Sequence, residues 1–152
     1  MIIAHRGNLT GPEVERENSP SYIDAAIAAG FPVEVDLRSK DGELWLGHDN
    51  PQYPITQEWL FARRKDLWIH IKDYCSAVLM GQLKENYQFF CHQSDDFTIT
   101  STGHVWVHDL ENEITKECIV PLLDRKSIID FTQKEFFAIC TDYVYECEEK
   151  IK

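Results

Sequence analysis

His5-Arg6-Gly7 closes the first apolar run of the chain, Met1-Ile2-Ile3-Ala4. Glu34-Val35-Asp36 follows, and then Gly47-His48-Asp49. Two histidines and two carboxylates therefore gather in the first third of the chain, most of them at the ends of predicted strands. Imidazoles with a pKa near ~6.5 can serve as base and as acid around neutral pH. A pair of carboxylates suits a hard divalent cation. Together these groups are what metal-assisted cleavage of a phosphate diester requires. Each signal is weak alone, since Glu-x-Asp equally fits the wet face of a sheet and lone histidines are usually surface or core residues.

The elements that must position these groups can be read from the apolar pattern. Strands are predicted at 2–6, 33–38, 67–72, 88–92, 104–108, 118–123 and 137–142, with a short extended arm at 43–47 after the turn Lys40-Asp41-Gly42. Helices are predicted at 21–29, 56–65, 76–85 and 127–134. Ser19-Pro20 reads as the start of the first and Gly30 as its stop. Residues 94–103 read as a loop, and the charged tail from Glu146 as a solvated end. Strands alternating with helices imply a parallel sheet with crossover connections. Alternation along the strands puts Glu34 and Asp36 on one face, Trp68, His70 and Lys72 on one face, and His104, Trp106 and His108 on one face. In a barrel these are the inward faces.

Composition narrows the function classes. At 152 residues and 43% hydrophobic content the chain is expected to form one domain, residues 1–152, with a real core. A formal net charge of -11 repels nucleic acid and anionic membrane surfaces, so neither is expected as a partner. Five cysteines, an odd number with no Cys-x-x-Cys, read as reduced, mostly buried thiols of a cytoplasmic protein. The first strand starts at residue 2, so no signal peptide is expected. No apolar run approaches the ~20 residues of a membrane span.

In order and spacing, several segments resemble the glycerophosphodiester phosphodiesterase family. These are Ala4-His5-Arg6-Gly7, Glu17-Asn18-Ser19, Glu34-Val35-Asp36-Leu37-Arg38, Lys40-Asp41-Gly42-Glu43-Leu44 and Gly47-His48-Asp49. Val105-Trp106-Val107-His108-Asp109 and Ile139-Cys140-Thr141-Asp142 resemble its last strands. The likeness is dense over residues 1–50 and sparse afterwards. It implies a (β/α)8 barrel and hydrolysis of a glycerophosphodiester or similar small phosphodiester. It implies Glu34 and Asp36 as ligands of Mg2+ or Ca2+, and His5 and His48 as acid and base. It further implies that Arg6 holds a phosphate oxygen, that Glu17 orients the first loop, and that Lys72 adds positive charge. In the family the attacking group can be the substrate's own neighbouring hydroxyl. Trp45, Trp68, Phe97 and Trp106 are candidates to line the substrate pocket, Trp106 being the one placed in the site, with core packing the favoured reading of such aromatics.

Two departures shape the expectation. Where the family places Glu-x-Lys on the third strand, this chain has His70-Ile71-Lys72. With His70 as third ligand the site tilts toward Mn2+ or Zn2+. A complete barrel needs at least ~200 residues. The expected fold is therefore a reduced or incomplete TIM-type barrel of six or seven mostly parallel strands, two strand-helix units short. Its edge would be covered by a loop or by a second subunit of a homodimer. The alternative function is a catalytically degenerate phosphate- or sugar-phosphate-binding protein on the same fold.

Overall fold

The computed structural model describes residues 1–83 and 86–151. Its sheet has seven parallel strands. In sheet order they are β6 (Gln88–Cys91), β5 (Leu67–Ile71), β2 (Val33–Lys40), β1 (Ile2–His5), β10 (Ala138–Thr141), β9 (Cys118–Pro121) and β8 (Val105–Val107). β7 (Phe97–Ile99) lies antiparallel beside β8. It also touches β6: Ser101 N–H donates to the Phe89 carbonyl at 2.8 Å, and the Thr98 hydroxyl donates to the Cys91 carbonyl at 3.0 Å. The two ends of the curled sheet are thereby brought together.

An antiparallel arm extends β2 through β3 (Glu43–Leu46) and β4 (Tyr53–Ile55). The turn between β2 and β3 has two residues, Asp41 and Gly42, both at positive φ (53° and 80°). That is the hairpin geometry for which Asp-Gly is suited.

The expected count of six or seven strands holds for the parallel set, but the sheet contains ten strands among the described residues. β4 and β7 escaped the sequence because each has three residues, and Pro54 argues against a strand. The shortening falls between β6 and β8, where residues 94–103 read as a loop. One parallel strand is missing, and β7 takes its place. The saving lies in the helices: between β6 and β9 there is no α-helix. The outer faces of Phe97 and Ile99 on β7 are consequently exposed, at 56% and 66%.

Five helices are present among the described residues: α1 (Pro20–Ala28), α2 (Gln57–Ala62), α3 (Tyr74–Leu83), α4 (Arg125–Asp130) and α5 (Val144–Ile151). α1 ends in a Schellman motif. Gly30 N–H bonds to the Ile27 carbonyl and Phe31 N–H to the Ala26 carbonyl, with Gly30 at φ 92°. Thr56 and Asp124 cap α2 and α4 through their side chains. The predicted end of the third helix, at Glu85, lies outside the described residues. The tail expected to be solvated is α5, which buries Val144 and Cys147. Its apolar residues are too few to stand out among four glutamates and lysines. Its docking is reinforced by the Arg125–Glu146 pair at 2.8 Å and by Lys150, which donates to the carbonyls of Ile128 and Ile129. No helix of the described residues is long and apolar enough to cross a membrane. All five cysteines are free; Cys118, Cys140 and Cys147 are buried, while Cys75 and Cys91 are exposed.

The strands separate two cores. Val33, Val35, Leu37, Leu67, Ile69 and their neighbours face the helices. Ile3, Trp68, Phe90, Trp106, Ile119, Ala138 and Cys140 fill the space inside the curl. Stepping two residues toward the C-terminal end of each strand from this inner plug leads to His5, His70, His92, His108 and Asp142. The plug is the floor on which a polar site stands.

Candidate active site

His5 ends β1, and its Nδ1 lies 2.8 Å from Oδ1 of Asp142, just past β10. This contact assigns the ring proton to Nδ1 and leaves Nε2 directed toward Glu34, 3.8 Å away. Burial pushes the His5 pKa down, but the Asp142 hydrogen bond and the charges of Glu34 and Asp142 outweigh it, so the net shift is upward. Asn8 braces the pair, donating to Asp142 at 2.7 Å and to Glu17 at 2.9 Å.

The backbone turns sharply after His5. Arg6 (φ 53°) and Gly7 (φ 91°) both have left-handed backbone. A Cβ at position 7 would lie 3.0 Å from the Tyr22 ring and 3.3 Å from its backbone, so only glycine fits. The turn aims Arg6 back across the sheet. Its Nε lies 3.1 Å from Asp36 Oδ2, and Nη1 lies 3.0 Å from Glu17 Oε2.

Glu34 and Asp36 are buried side by side on β2 (2% and 0% exposed), and Asp36 is in register with His70 on β5. His70 Nδ1 lies 3.5 Å from Glu34 Oε1 and 3.4 Å from Asp36 Oδ1. Asn18, at φ 63°, donates to Asp36 Oδ2 at 2.9 Å and accepts the Asp36 backbone N–H. Lys72 Nζ lies 3.6 Å from Asp36 Oδ1. Burial favours the neutral acid at Asp36, but Arg6, Asn18, His70 and Lys72 together hold its pKa below the usual carboxylate range.

Two adjacent buried carboxylates are costly without a counter-charge. Here Glu34 Oε2 and Asp36 Oδ1 are buried with no hydrogen-bond partner. Together with His70, these residues offer one ligand atom each, all within 4.8 Å of one another. The arrangement fits a divalent cation. The second nitrogen of His70 adds to the fit: Nε2 lies 3.3 Å from the His92 carbonyl, a proton acceptor that leaves Nδ1 free to present its lone pair to the carboxylate side.

His48 follows Gly47, whose φ of 151° and close neighbours exclude a side chain: a Cβ there would lie 2.0 Å from the Asn50 carbonyl oxygen. Arg38 pins this loop by donating to the carbonyls of Gly47 (2.9 Å) and His48. The His48 side chain is 42% exposed and pairs with Asp49 at 2.7 Å. A cavity of about 170 Å3 brings His48 together with His5, Arg6, Glu34 and His70. A larger concavity, about 960 Å3, lies on the β3–β4 arm among Leu44, Pro54, Ile55, Trp59 and Leu79. Its walls carry no comparable set of acids, bases and cations, so size does not decide which hollow is the site.

This architecture is similar to one already solved. The chain resembles the crystal structure of a glycerophosphodiester phosphodiesterase from Parabacteroides distasonis ATCC 8503, with a TM-score of 0.62 over 99% of this chain and 95% of that one. Identity is 14%, so the likeness establishes the fold alone. No family model matches the chain, and neither does any curated protein.

Within this fold, His5, Arg6, Glu34, His48, His70 and Trp106 all line one cavity. Glu17 and Lys72 stand behind it: Glu17 is occupied by Arg6 and Asn8, and Lys72 lies against Asp36. Trp106 is 4% exposed and stacks on Phe90, part of the plug as well as of the wall. Sequence reasoning gave Asp142, Asn8, Asn18, His92 and His108 no role in the site, although it put His108 on an inward face and Asn18 and Asp142 in family-like segments. For Asp142, His92 and His108 the signal was available: each ends or follows a predicted strand, in phase with an inward residue two positions earlier.

His70 gives a direct test of the cation's preference. Replacing it with glutamate, His70→Glu, is expected to shift selectivity from Mn2+ or Zn2+ toward Mg2+ or Ca2+. Metal should also persist to lower pH, since Glu titrates near ~4.3 and His near ~6.5. Calorimetric titration of Mn2+ and Mg2+ into both proteins measures this, and unchanged relative affinities would remove His70 from the ligand set.

Proposed function

We propose that the chain is a divalent-cation-dependent phosphodiesterase acting on a glycerophosphodiester or similar small phosphodiester. The observation that carries this reading is the buried carboxylate pair, with Glu34 Oε2 and Asp36 Oδ1 lacking hydrogen-bond partners beside His70, at a cavity that Glu34 and His70 line together with His5, Arg6 and His48. The fold likeness to a glycerophosphodiester phosphodiesterase supports it. Glu34, Asp36 and His70 would hold the cation, which when bound neutralises charge on a non-bridging phosphate oxygen.

The chain's own groups divide the remaining work. Arg6, anchored by Asp36 and Glu17, holds the phosphate in place. His5 is oriented by Asp142, a positioning residue that also stabilises the imidazolium. His5 is therefore assigned the role of acid, protonating the departing alcohol from Nε2. His48, on the open side, takes the proton of the attacking hydroxyl. The small cavity falls below the ~300–1,000 Å3 of ordinary ligand pockets, which favours a small diester.

Turnover of bis(p-nitrophenyl) phosphate is expected to be abolished by EDTA and restored by added divalent cation. Undiminished turnover in excess chelator would take the metal out of the mechanism. A second reading, a phosphate-binding protein without turnover, is favoured by one observation: an imidazole replaces the expected third carboxylate. Phosphate binding without hydrolysis under any divalent cation would establish it over the first.

A further inference from the structure

The outer face of the sheet lacks its cover at one place. Val105, Val107 and Phe89 belong to the helix-facing core, yet no α-helix lies between β6 and β9. β7 runs antiparallel to β8, with Phe97 opposite Val107 and Ile99 opposite Val105, so these four side chains share that outer face. Cys91 joins them from β6, in register with Ile71. Phe97 and Ile99 are more than half exposed, and Cys91 is exposed beside them. An apolar strip is left where a complete barrel sets a helix of its outer ring.

The strip has two poles. Where β7 begins, Asp95, Asp96 and Asp109 are exposed, and the Asp96 carbonyl accepts from the backbone N–H groups of His108 and Asp109 at 2.8 and 3.0 Å. Where β7 stops, a hollow of about 530 Å3 beside Gln88 and Ser101 is lined by Arg64 and Lys65 and, among the described residues, by no carboxylate. The acids nearest to it in the chain lie to either side. The Asp66 carbonyl accepts from Val33 N–H, on the β2 side of β5, and Glu117 lies 3.9 Å from Lys116.

We propose that this face is where two copies of the chain meet, related by a two-fold axis that lies in the interface and runs across the strands. The proposal is independent of the phosphodiesterase reading. A face with an apolar centre, an acidic end and a basic end is complementary to itself, which is what an isologous interface requires. The charges also select the arrangement. An axis along the strands would set acid on acid. An axis across them reverses the partner's β7, so Asp95 and Asp96 of each copy meet Arg64 and Lys65 of the other, while Phe97 and Ile99 pack at the centre. Apolar core and charged rim then fall where interfaces place them. A formal charge of -11 makes two copies repel at long range, so a local match of this kind is needed for them to associate.

Sedimentation equilibrium of the unaltered protein is expected to show a reversible dimer, with a dissociation constant on the order of 10 μM for so small an interface. Added salt should weaken it, because opposite charges across the interface are screened. Ile99→Lys is expected to raise the dissociation constant at least ~10-fold. The double reversals Asp95→Lys with Asp96→Lys, and Arg64→Glu with Lys65→Glu, should each give a monomer at the same concentrations. An equimolar mixture of the two folded variants should dimerise again, since each then meets its complement. In the unaltered protein, amide NMR signals of Phe97–Ile99, Arg64 and Lys65 are expected to move with protein concentration, while those of the β3–β4 arm stay. That readout stands even where a variant fails to fold. A monomer at every concentration would overturn the proposal and leave the face to a partner of another kind. A dimer that salt strengthens, one that Ile99→Lys leaves intact, a mixture that stays monomeric, or concentration-dependent signals confined to another surface would each overturn it as well.

Discussion

His5→Ala is expected to lower kcat for a phosphodiester by at least ~10²-fold, the usual size for a lost general acid. The physical chain is short. The substitution removes the Nε2 that faces the cavity and leaves Asp142 with its bond from Asn8. The metal-type cluster of Glu34, Asp36 and His70 does not include His5, so affinity for Mn2+ is expected to stay within a few-fold. On the proposed role of His5, protonating the leaving alcohol, the loss should be larger for an alkyl leaving group than for p-nitrophenolate, which departs without a proton. Steady-state rates on both kinds of diester check this. Equal losses would assign His5 to another step, and unchanged rates would make it structural.

Asp36→Asn is expected to cost more, ~10³-fold or beyond in kcat/KM, since several kcal/mol of charge stabilisation go with the cation. Asparagine keeps the shape and can still accept from Asn18, while the buried repulsion with Glu34 is relieved. Arg6 and Lys72 lose an anionic partner, but Arg6 retains Glu17. The fold is therefore expected to survive, with the melting temperature changed by only a few degrees. Rates near those of the unaltered protein at low micromolar Mn2+ would show that Asp36 is not a ligand. Collapse of the fold would show that its charge serves structure first.

How much of this was legible beforehand follows from what each signal depends on. The parallel strands carrying His5, Glu34, Asp36 and His70 were readable because runs such as Leu67–Ile71 are apolar, bounded, and in phase with their neighbours. The inward face was readable from period-two alternation, which placed the carboxylates and His70 together before any geometry was known. β4 and β7 were not readable, because three residues give alternation nothing to repeat. The helix at the C-terminal end was hidden by charge: Val144 and Cys147 bury one narrow stripe of α5, and the surrounding glutamates dominate the composition. Asp142 and the His92–His108 pair were missed for a different reason. The period-two phase that turns them inward is local, but which of them meet depends on which strands become neighbours in the curl, and adjacency of β10 with β1, or of β8 with the region around β6, is a property of topology that no local pattern contains.

The measurement that bears most directly on the central claim is hydrolysis of a phosphodiester as Mn2+ is titrated into chelator-treated protein, with bound Mn2+ read by EPR in the same samples. Catalysis by a cation held at Glu34, Asp36 and His70 predicts no rate without metal and a rate that rises in proportion to one bound ion. It also predicts that both signals are lost together in Asp36→Asn. Turnover before any Mn2+ binds, or full occupancy of the site with no hydrolysis of any diester, would contradict it.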